Sequence, residues 1–492
     1  MVAGRRSVHL AILAREITYA HMQITPHTSR ISFRTLISAI SLYALIHFFF
    51  LWMYTNIDGY FYWAIGQYLK TGVYPFVSPF IYAMPITISP PLYGIFIAFI
   101  GSIPAGDIIL HGIQILLMTT TTLLLYRLLL TSIKPYAATI ISILFLLFPV
   151  NVIYTGSMMT ELAAQTTMTI YLFLVYRFTK TKNISFLASA ILLTGCMTLL
   201  KYQFVILFIF TISYLVVSFP KKQSLSHFNG LKVFFAVVVI TTWIITNHSM
   251  TGVWGLSDTK KMPFYTNFVW DGRHFPKKTD PSVIALRQYV PPTADRYAEY
   301  WDLQGYILPY AHNDWRVVDE LLGNVGIAAI KTYPIEYMLN GIRVFVQTLA
   351  SHSPWWYNLQ TFGSIDPVQP VNCTRLGTIQ FCRPIIMTPW SYPIWNRYVA
   401  ISAKIYNILV PLLLLFLFLP SLVITLLDKR IRIYSIIYLV SLVPISYLAM
   451  VESRYLIPYY PLIIIICVQG VKNARAILSR LANRMQTKKA KE

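Results

Sequence analysis

Long apolar runs separated by short polar segments make up the first half and the last fifth of the chain. Ten of these runs approach the roughly 20 residues that a helix needs to cross a bilayer. They are residues 33–54, 108–130, 136–154, 162–176, 184–200, 204–219, 233–246, 405–427, 433–449 and 455–471. The pattern therefore predicts an all-α polytopic membrane protein, a bundle of about ten transmembrane helices.

The polar stretches between the runs divide the chain into regions. We expect a cytoplasmic N-terminal segment, a first transmembrane module that includes an outer loop, a small non-cytoplasmic lobe, the last spans and a basic cytoplasmic tail. The boundaries are 1–32, 33–246 with the loop at 55–107, 247–404, 405–471 and 472–492. Four shorter helices are predicted outside the spans, at 60–71, 92–103, 315–330 and 334–348, where Pro, Gly and amphipathic spacing bound them.

The distribution of charge fixes the expected orientation. If the N-terminus is inside, the tails, short inner loops and inner span ends hold 23 of the 40 Lys and Arg, and the short outer loops hold 3. Short loops rich in Lys and Arg stay in the cytoplasm. Both termini are therefore predicted to be cytoplasmic, with the basic tail against anionic lipid. The net charge of +22 follows this membrane pattern, so nucleic acid is not an expected partner.

Acidic residues are concentrated on the other side of the membrane. Fifteen of the 18 Asp and Glu fall on the predicted outer face, and the candidate chemistry is expected there. The chain is 56% hydrophobic and 12% charged, against about 25% charged in soluble proteins. Four cysteines are too few for a disulfide framework, but Cys373 and Cys382 in the outer segment could pair, and the sequence leaves that open.

Asp58 and Glu161 are the first candidate site residues. Asp58 follows the first span among aromatic residues, where partial desolvation can raise a carboxyl pKa and favour a general base. Its alternative role is to cap the helix that begins at Tyr60. Glu161 stands at the outer mouth of a span, and its alternative is a first-turn acid that the helix dipole stabilises.

A second group of candidates lies at the outer ends of later spans. Glu452, Arg454 and Tyr455 precede the last span, and Lys201 ends an earlier one. Charged groups next to a membrane span are costly and usually functional. The alternatives are an exposed loop ion pair for Glu452 and Arg454 and a snorkelling side chain for Lys201.

Six strings, in order and all on the predicted outer face, resemble motifs of the GT-C superfamily of membrane glycosyltransferases, including the protein O-mannosyltransferases and aminoarabinose transferases. These strings are 58–72 (beginning Asp-Gly-Tyr-Phe-Tyr-Trp-Ala), 89–93 (Ser-Pro-Pro-Leu-Tyr), 159–161 (Met-Thr-Glu), 199–201 (Leu-Leu-Lys), 331–337 (Lys-Thr-Tyr-Pro-Ile-Glu-Tyr) and 452–461 (beginning Glu-Ser-Arg-Tyr). Two positions depart from the pattern. Gly59 stands where many members have Glu, and Ser89 where many have His or Tyr.

The resemblance implies a GT-C-like fold and a mechanism. A polyprenyl-phosphate sugar would be the donor, and a hydroxyl of a glycan, lipid or protein the acceptor, with inversion at the anomeric carbon. Asp58 would be the catalytic base, while Arg454 and Lys201 would bind the donor phosphate. Glu161, Glu452, Tyr60 and Tyr455 would bind or orient the acceptor. The inner membrane of a prokaryote is the expected location, with the site on its outer face.

Two questions stay open at this level. No cofactor is certain, and a divalent metal ion remains an option: His248, His274, His312 and His352 are outside but lack ligand spacing. The alternative function is a multi-pass transporter or flippase of a lipid-linked or small substrate. Such proteins tend to show internal repeats and broken spans near mid-membrane. No repeat is evident, and the polar residues gather at one face, which favours the transferase.

Overall fold

The computed structural model describes residues 26–50, 57–72, 87, 89–218, 227–269, 274–290, 300–312, 314–350, 372–376, 379–383, 408–429, 431–448 and 453–489. The helices of the first module are α1 (Pro26–Phe50), α2 (Ile57–Thr71), α3 (Pro91–Ile100), α4 (Gly106–Leu129), α5 (Pro135–Leu146), α6 (Pro149–Thr155), α7 (Thr160–Thr181), α8 (Ile184–Leu200), the 3₁₀ turn Tyr202–Phe204, α9 (Val205–Ser218) and α10 (His227–Thr251).

The rest of the chain adds the segment predicted to lie outside, here called the outer segment, and the last helices. They are α11 (Met262–Phe268), α12 (Pro281–Arg287), α13 (Tyr300–Tyr310), α14 (Trp315–Thr332), α15 (Pro334–Ala350), strands β1 (Asn372–Leu376) and β2 (Ile379–Arg383), α16 (Ile408–Leu427), α17 (Arg432–Leu448), the 3₁₀ helix Ser453–Tyr459 and α18 (Tyr460–Lys489). The short helices predicted near α2, α3, α14 and α15 are all present, with ends within a few residues of those expected.

Five helices of the described residues are long and apolar enough to cross a membrane: α1, α4, α10, α16 and α18. The pair α5 and α6 makes a sixth if it counts as one span bent by 56°. Helices α3, α8, α9 with its preceding turn, and α17 are apolar but shorter. Many of their large apolar side chains, such as Phe99 and Val217, remain exposed on the molecule. A helical membrane protein with several spans accounts for these exposed apolar surfaces.

Helix α7 is long enough to span a bilayer, although it is more polar than the five. Its polar side chains are turned inward: Glu161, Gln165, Thr166 and Thr169 are all buried. The three uncharged ones bond to protein, as Thr166 donates to the Leu162 carbonyl at 2.9 Å and Thr169 to the Gln165 carbonyl at 2.7 Å. A helix of this kind belongs in the interior of a bundle, where neighbouring helices separate its polar face from lipid.

The bend between α5 and α6 is supported by side chains. Pro149 begins α6 and has no N–H to donate, so the helix cannot run on unchanged. Asn151 donates to the Phe145 carbonyl at 2.6 Å, and Gln165 donates to Asn151 Oδ1 at 3.1 Å. The Phe145 carbonyl, which Pro149 leaves without its helical N–H, thereby accepts a hydrogen bond inside the bundle, as an apolar environment requires.

The outer segment forms a second apolar core of its own. Helix α11 packs on α14 so closely that a Cβ on Gly323 would stand 2.0 Å from Lys261 Cβ. The buried carboxylate of Asp319 on α14 accepts the backbone N–H of Lys261 at 2.9 Å and that of Met262 at 2.8 Å. These bonds satisfy free N–H groups at the start of α11. Helices α11 to α14 therefore share an apolar core that is separate from the main one.

Two hydrogen bonds tie α11 and α15 to the end of α17. Asn267 on α11 donates to the Ser446 carbonyl at 3.1 Å, and the Tyr337 hydroxyl on α15 donates to the Tyr447 carbonyl at 2.8 Å. A third bond joins α15 to α11, because Asn340 donates to Asn267 Oδ1 at 3.0 Å. Asn267 and Asn340 are buried. Helix α15 is thereby held beside α17, close to the 3₁₀ helix that carries Arg454.

The strands β1 and β2 were not predicted. They form an antiparallel hairpin in which Asn372 pairs with Arg383 and Leu376 with Ile379. The hairpin lies beside α4. It is a small addition to an otherwise helical fold in the described part of the chain.

Candidate functional site

A buried ion pair lies at one end of the helical hairpin formed by α7 and α8. Two residues connect these helices, so they run antiparallel, and the beginning of α7 meets the end of α8. Lys201 Nζ lies 2.8 Å from Glu161 Oε1, and the two side chains are 10% and 1% exposed. Both were predicted site residues. The snorkelling alternative for Lys201 is wrong, because its ammonium is buried on a carboxylate.

The ion pair is not fully satisfied by the residues that the structure describes. Glu161 Oε2 is buried and has no hydrogen-bond partner among them. Burying two charges costs several kcal/mol per ion, and their attraction offsets this only when further hydrogen bonds complete the site. Glu161 also lies in the first turn of α7, where the helix dipole favours a negative charge. A half-satisfied pair of this kind is suited to receiving a polar ligand.

Helix α2, which carries Asp58, is fastened next to Glu161. The hydroxyls of Tyr62 and Thr160 lie 3.1 Å apart, and Tyr62 meets the Tyr93 ring edge to face at 5.3 Å. Asp58 lies one turn before Tyr62 in the same helix. The side chains of Asp58 and Tyr60 lie outside what the structure describes. The placement of α2 nevertheless puts the Asp58 position close to the start of α7.

Helices α2 and α3 touch through glycines. A Cβ on Gly66 would lie 2.0 Å from the Gly94 carbonyl oxygen, and a Cβ on Gly94 would lie 2.4 Å from the Tyr62 carbonyl oxygen. Real Cβ atoms do not approach so closely, and both glycines are in backbone contact. This close contact fixes the position of α2, which carries Tyr62 and Asp58, relative to α3.

We expect Gly66→Ala to destabilise the protein by about 1–3 kcal/mol, the usual cost of overpacking, because α2 and α3 must separate. Gly112→Ala is the matched control, because a Cβ there meets nothing within 4 Å. Thermal unfolding in detergent checks both variants. Equal behaviour of the two would show that the close packing is unimportant.

A polar chain extends from Tyr93 into the bundle. Gln114 on α4 donates to the Tyr93 hydroxyl at 3.0 Å and to the Ser157 carbonyl at 2.8 Å. Burial raises the pKa of Tyr93, and the nearby Glu161 carboxylate raises it further. The phenol therefore stays protonated at neutral pH. It presents a neutral hydrogen-bonding group at the wall of the site.

Several buried polar atoms of this wall have no partner among the described residues. Together with Glu161 Oε2 they are Trp63 Nε1, Gln114 Oε1 and Ser157 Oγ. Buried polar groups in proteins are nearly always hydrogen-bonded, so each exception needs an explanation. The four atoms belong to α2, α4, α7 and the turn before α7, which are the elements that surround the ion pair.

The 3₁₀ helix Ser453–Tyr459 closes another side. It packs on α7, and Gln165 on α7 donates to the Ile457 carbonyl at 3.0 Å. Lys201 Nζ lies 6.0 Å from the centre of the Tyr455 ring. Arg454 directly precedes Tyr455, but its side chain lies outside what the structure describes, as does Glu452 entirely. The elements that carry Arg454, Glu161 and Lys201 are therefore neighbours.

The segment before α3 is anchored beside Lys201. The Tyr202 hydroxyl donates to the Thr87 carbonyl at 3.2 Å. The Thr87 hydroxyl donates to Asn247 Oδ1 at 2.7 Å and accepts the Asp258 N–H at 2.9 Å. The C-terminal end of α10 and the following loop thus hold Thr87, which lies shortly before the Pro-Pro-Leu string at residues 90–92.

No group of three or more His, Cys, Asp or Glu close enough to hold a metal ion occurs among the described residues. His248 stacks on Trp254 with ring centres 3.9 Å apart, and His274 stacks on Phe268 at 4.4 Å. His312 has a left-handed backbone with φ of 50°. His352 lies outside the described residues. His248 and His274 therefore stack on different aromatic side chains.

Sequence analysis missed the uncharged part of this site. Tyr62, Tyr93, Gln114 and Ser157 were not singled out, although Gln114 lies inside an apolar span, where an amide needs a partner. An amide at position 114 within an apolar run was the one sequence feature that could have indicated this part of the site. Comparison of the chain with protein-family models, curated proteins and solved structures finds no match. The site must therefore be interpreted from its own chemistry.

Proposed function

We propose that the chain is a membrane glycosyltransferase that moves a sugar from a polyprenyl-phosphate donor to a hydroxyl acceptor at the outer membrane face. The observation that carries the proposal is the buried Glu161–Lys201 pair, which adjoins α2 through Thr160 and Tyr62 and faces Tyr455. It supplies a cation at the end of a predicted span, beside polar atoms that have no partner among the described residues. Such a site suits a ligand with an anionic head, hydroxyl groups and a lipid chain.

The proposed reaction needs one base and a cationic site. Asp58 accepts the proton of the acceptor hydroxyl as that oxygen attacks the anomeric carbon and the bond to the donor phosphate breaks. The departing phosphate needs its charge stabilised more than it needs a proton. Arg454 and Lys201 bind it, and Glu161 holds the Lys201 ammonium in place. Glu452, Tyr60 and Tyr455 contact or orient the acceptor.

The proposal includes a ten-span GT-C-like topology. The described helices fit it if α7, α8, α9 and α17 cross as short or partly polar spans and the bent pair α5–α6 counts as one. Helix α15 would lie in the membrane interface. Its exposed face carries large apolar side chains at helical spacing, namely Ile335, Met338, Leu339, Ile342 and Val346.

We expect both termini to be cytoplasmic and the outer segment to face the other side. In a cysteine-free background, Lys278→Cys should react with an impermeant maleimide added outside intact cells or spheroplasts, because residue 278 is exposed. Lys134→Cys, exposed between α4 and α5, is the control and should react only after the membrane is opened. Labelling of residue 278 only after opening would reverse the orientation and remove the outer-face site.

A second candidate function is a flippase or transporter of a lipid-linked substrate. The 56° break between α5 and α6, with Asn151 and Gln165 at the break, is the observation that favours it. Purified protein in vesicles distinguishes the two. A transferase should transfer radiolabelled sugar from a polyprenyl-phosphate donor to an acceptor extracted from the cell envelope. Movement of intact donor between leaflets without transfer would instead support the flippase.

A further inference from the structure

The β1–β2 hairpin places two cysteines opposite each other. The register pairs Cys373 with Cys382, three positions from the pair Leu376 and Ile379. Only two residues, 377 and 378, separate Leu376 from Ile379 along the chain. The pair that flanks a two-residue turn is the hydrogen-bonded pair that closes the hairpin. This register identifies the type of every other pair in the ladder.

Hydrogen-bonded and non-hydrogen-bonded pairs alternate along an antiparallel ladder. An odd step from Leu376–Ile379 makes Cys373–Cys382 a non-hydrogen-bonded pair. Facing residues in such pairs have Cα atoms about 4.5 Å apart, within the roughly 4.4–6.8 Å range that a disulfide spans. A shift of the register by one residue would remove this match. The backbone alone therefore sets up the correct geometry.

We propose that Cys373 and Cys382 form an intrachain disulfide that locks this hairpin. The bond forms by thiol–disulfide exchange: the two thiols lose two protons and two electrons, and a disulfide-carrying protein oxidant is reduced to its dithiol. Such oxidants work outside the cytoplasm, where structural disulfides persist. The proposal requires the outer placement of the segment but not the sugar-transfer activity.

The bond would have a local structural effect. The hairpin lies beside α4, the helix whose Gln114 contacts Tyr93 and Ser157 in the candidate site. A short hairpin of two strands is marginally stable by itself. Closing it covalently restricts its unfolded states. The other two cysteines, Cys196 and Cys467, are free and lie in apolar helices.

The test uses the full chain in membranes from cells that make it. Free thiols are blocked with N-ethylmaleimide in denaturant, the sample is reduced, and newly released thiols are tagged with a polyethylene-glycol maleimide. Most native chains should carry two tags on a gel. Cys373→Ser and Cys382→Ser should each carry none. The control variant Cys196→Ser/Cys467→Ser should still carry two.

Two outcomes would overturn the proposal. Native chains that carry no tags after reduction have both thiols free. Two tags that persist in Cys373→Ser would mean that the released thiols come from another pairing. The topology experiment distinguishes a wrong disulfide from a wrong orientation. If Lys278→Cys is labelled from outside but the native protein carries no tags, the disulfide is rejected and the outer-face site is not affected. Neither result depends on whether sugar transfer is observed.

Discussion

If Asp58 is the base of the proposed reaction, Asp58→Asn should fold, bind donor and transfer sugar roughly 10²–10⁴ times more slowly than the native protein, the usual contribution of general base catalysis. Helix α2 begins at Ile57, so Asp58 lies inside its first turn and not at the N-cap position expected from the sequence. The substitution keeps the size of the side chain and an oxygen that can accept a free N–H there, so a helix-start role alone would leave the rate nearly unchanged. The measurement is transfer of radiolabelled sugar from a polyprenyl-phosphate donor, with donor binding assayed separately and folding followed by thermal unfolding.

The matched control is Asp107→Asn. Asp107 is another acid of the predicted first outer loop, lies in the first turn of α4 and accepts the N–H of Ile108 at 2.9 Å. It therefore reproduces the helix-start role without the proposed chemistry, and we expect near-native transfer. Near-native transfer by Asp58→Asn as well would end the assignment of Asp58 as the base and add weight to the flippase.

Arg454→Ala should give a different signature in the same assay. A phosphate contact exists in the ground state as well as the transition state, so donor affinity and rate should both fall. Lys70→Ala is a suitable comparison, because Lys70 is an exposed outer cation that donates to Ser102. Loss of rate with unchanged donor binding in Arg454→Ala would place Arg454 elsewhere in the mechanism.

The sequence predicted where helices end and which charged residues lie at those ends, but not which of these side chains contact each other. Glu161 and Lys201 could be assigned to one face because each ends a predicted span, and an antiparallel connection brings those ends together. Their direct pairing could not be deduced, because Arg454 was an equally good partner for Glu161. Side-chain partners depend on helix rotation and height, which hydropathy leaves open.

The same limit explains the other omissions. The Gly66–Gly94 approach is invisible in the sequence, since nothing in the spacing of two glycines 28 positions apart indicates that their helices touch. The β1–β2 hairpin lies in a stretch without long apolar runs, where pattern carries little information. Helix α15, by contrast, was predictable because its apolar residues recur at the helical period.

The buried ion pair yields the largest expected effect on stability. Glu161→Gln leaves the Lys201 ammonium buried without a counter-charge. Lys201→Met likewise leaves the Glu161 carboxylate buried without one. Removal of one partner of a buried pair typically costs about 3–5 kcal/mol. We therefore expect each single variant to unfold at a clearly lower temperature in detergent than the native protein.

The double variant Glu161→Gln/Lys201→Met separates stability from function. It leaves no buried charge, so its stability should recover to well above that of either single variant. If the pair serves only the fold, transfer should recover with stability. If Lys201 binds the donor phosphate, the double variant should fold but bind donor weakly and transfer little sugar. If both donor binding and sugar transfer recovered in the double variant, Lys201 would not be a donor-binding residue.

The exposed pair Lys261–Glu320 supplies the reference for these measurements. Its nitrogen and oxygen lie 2.6 Å apart, but its side chains are 36% and 58% exposed. Exposed pairs contribute about 0–1 kcal/mol because water screens them and two long side chains must be ordered. Glu320→Gln should therefore change the unfolding temperature little. If it cost as much as Glu161→Gln, the cost at Glu161 would not come from burial, and the argument for an incompletely satisfied buried site would lose its basis.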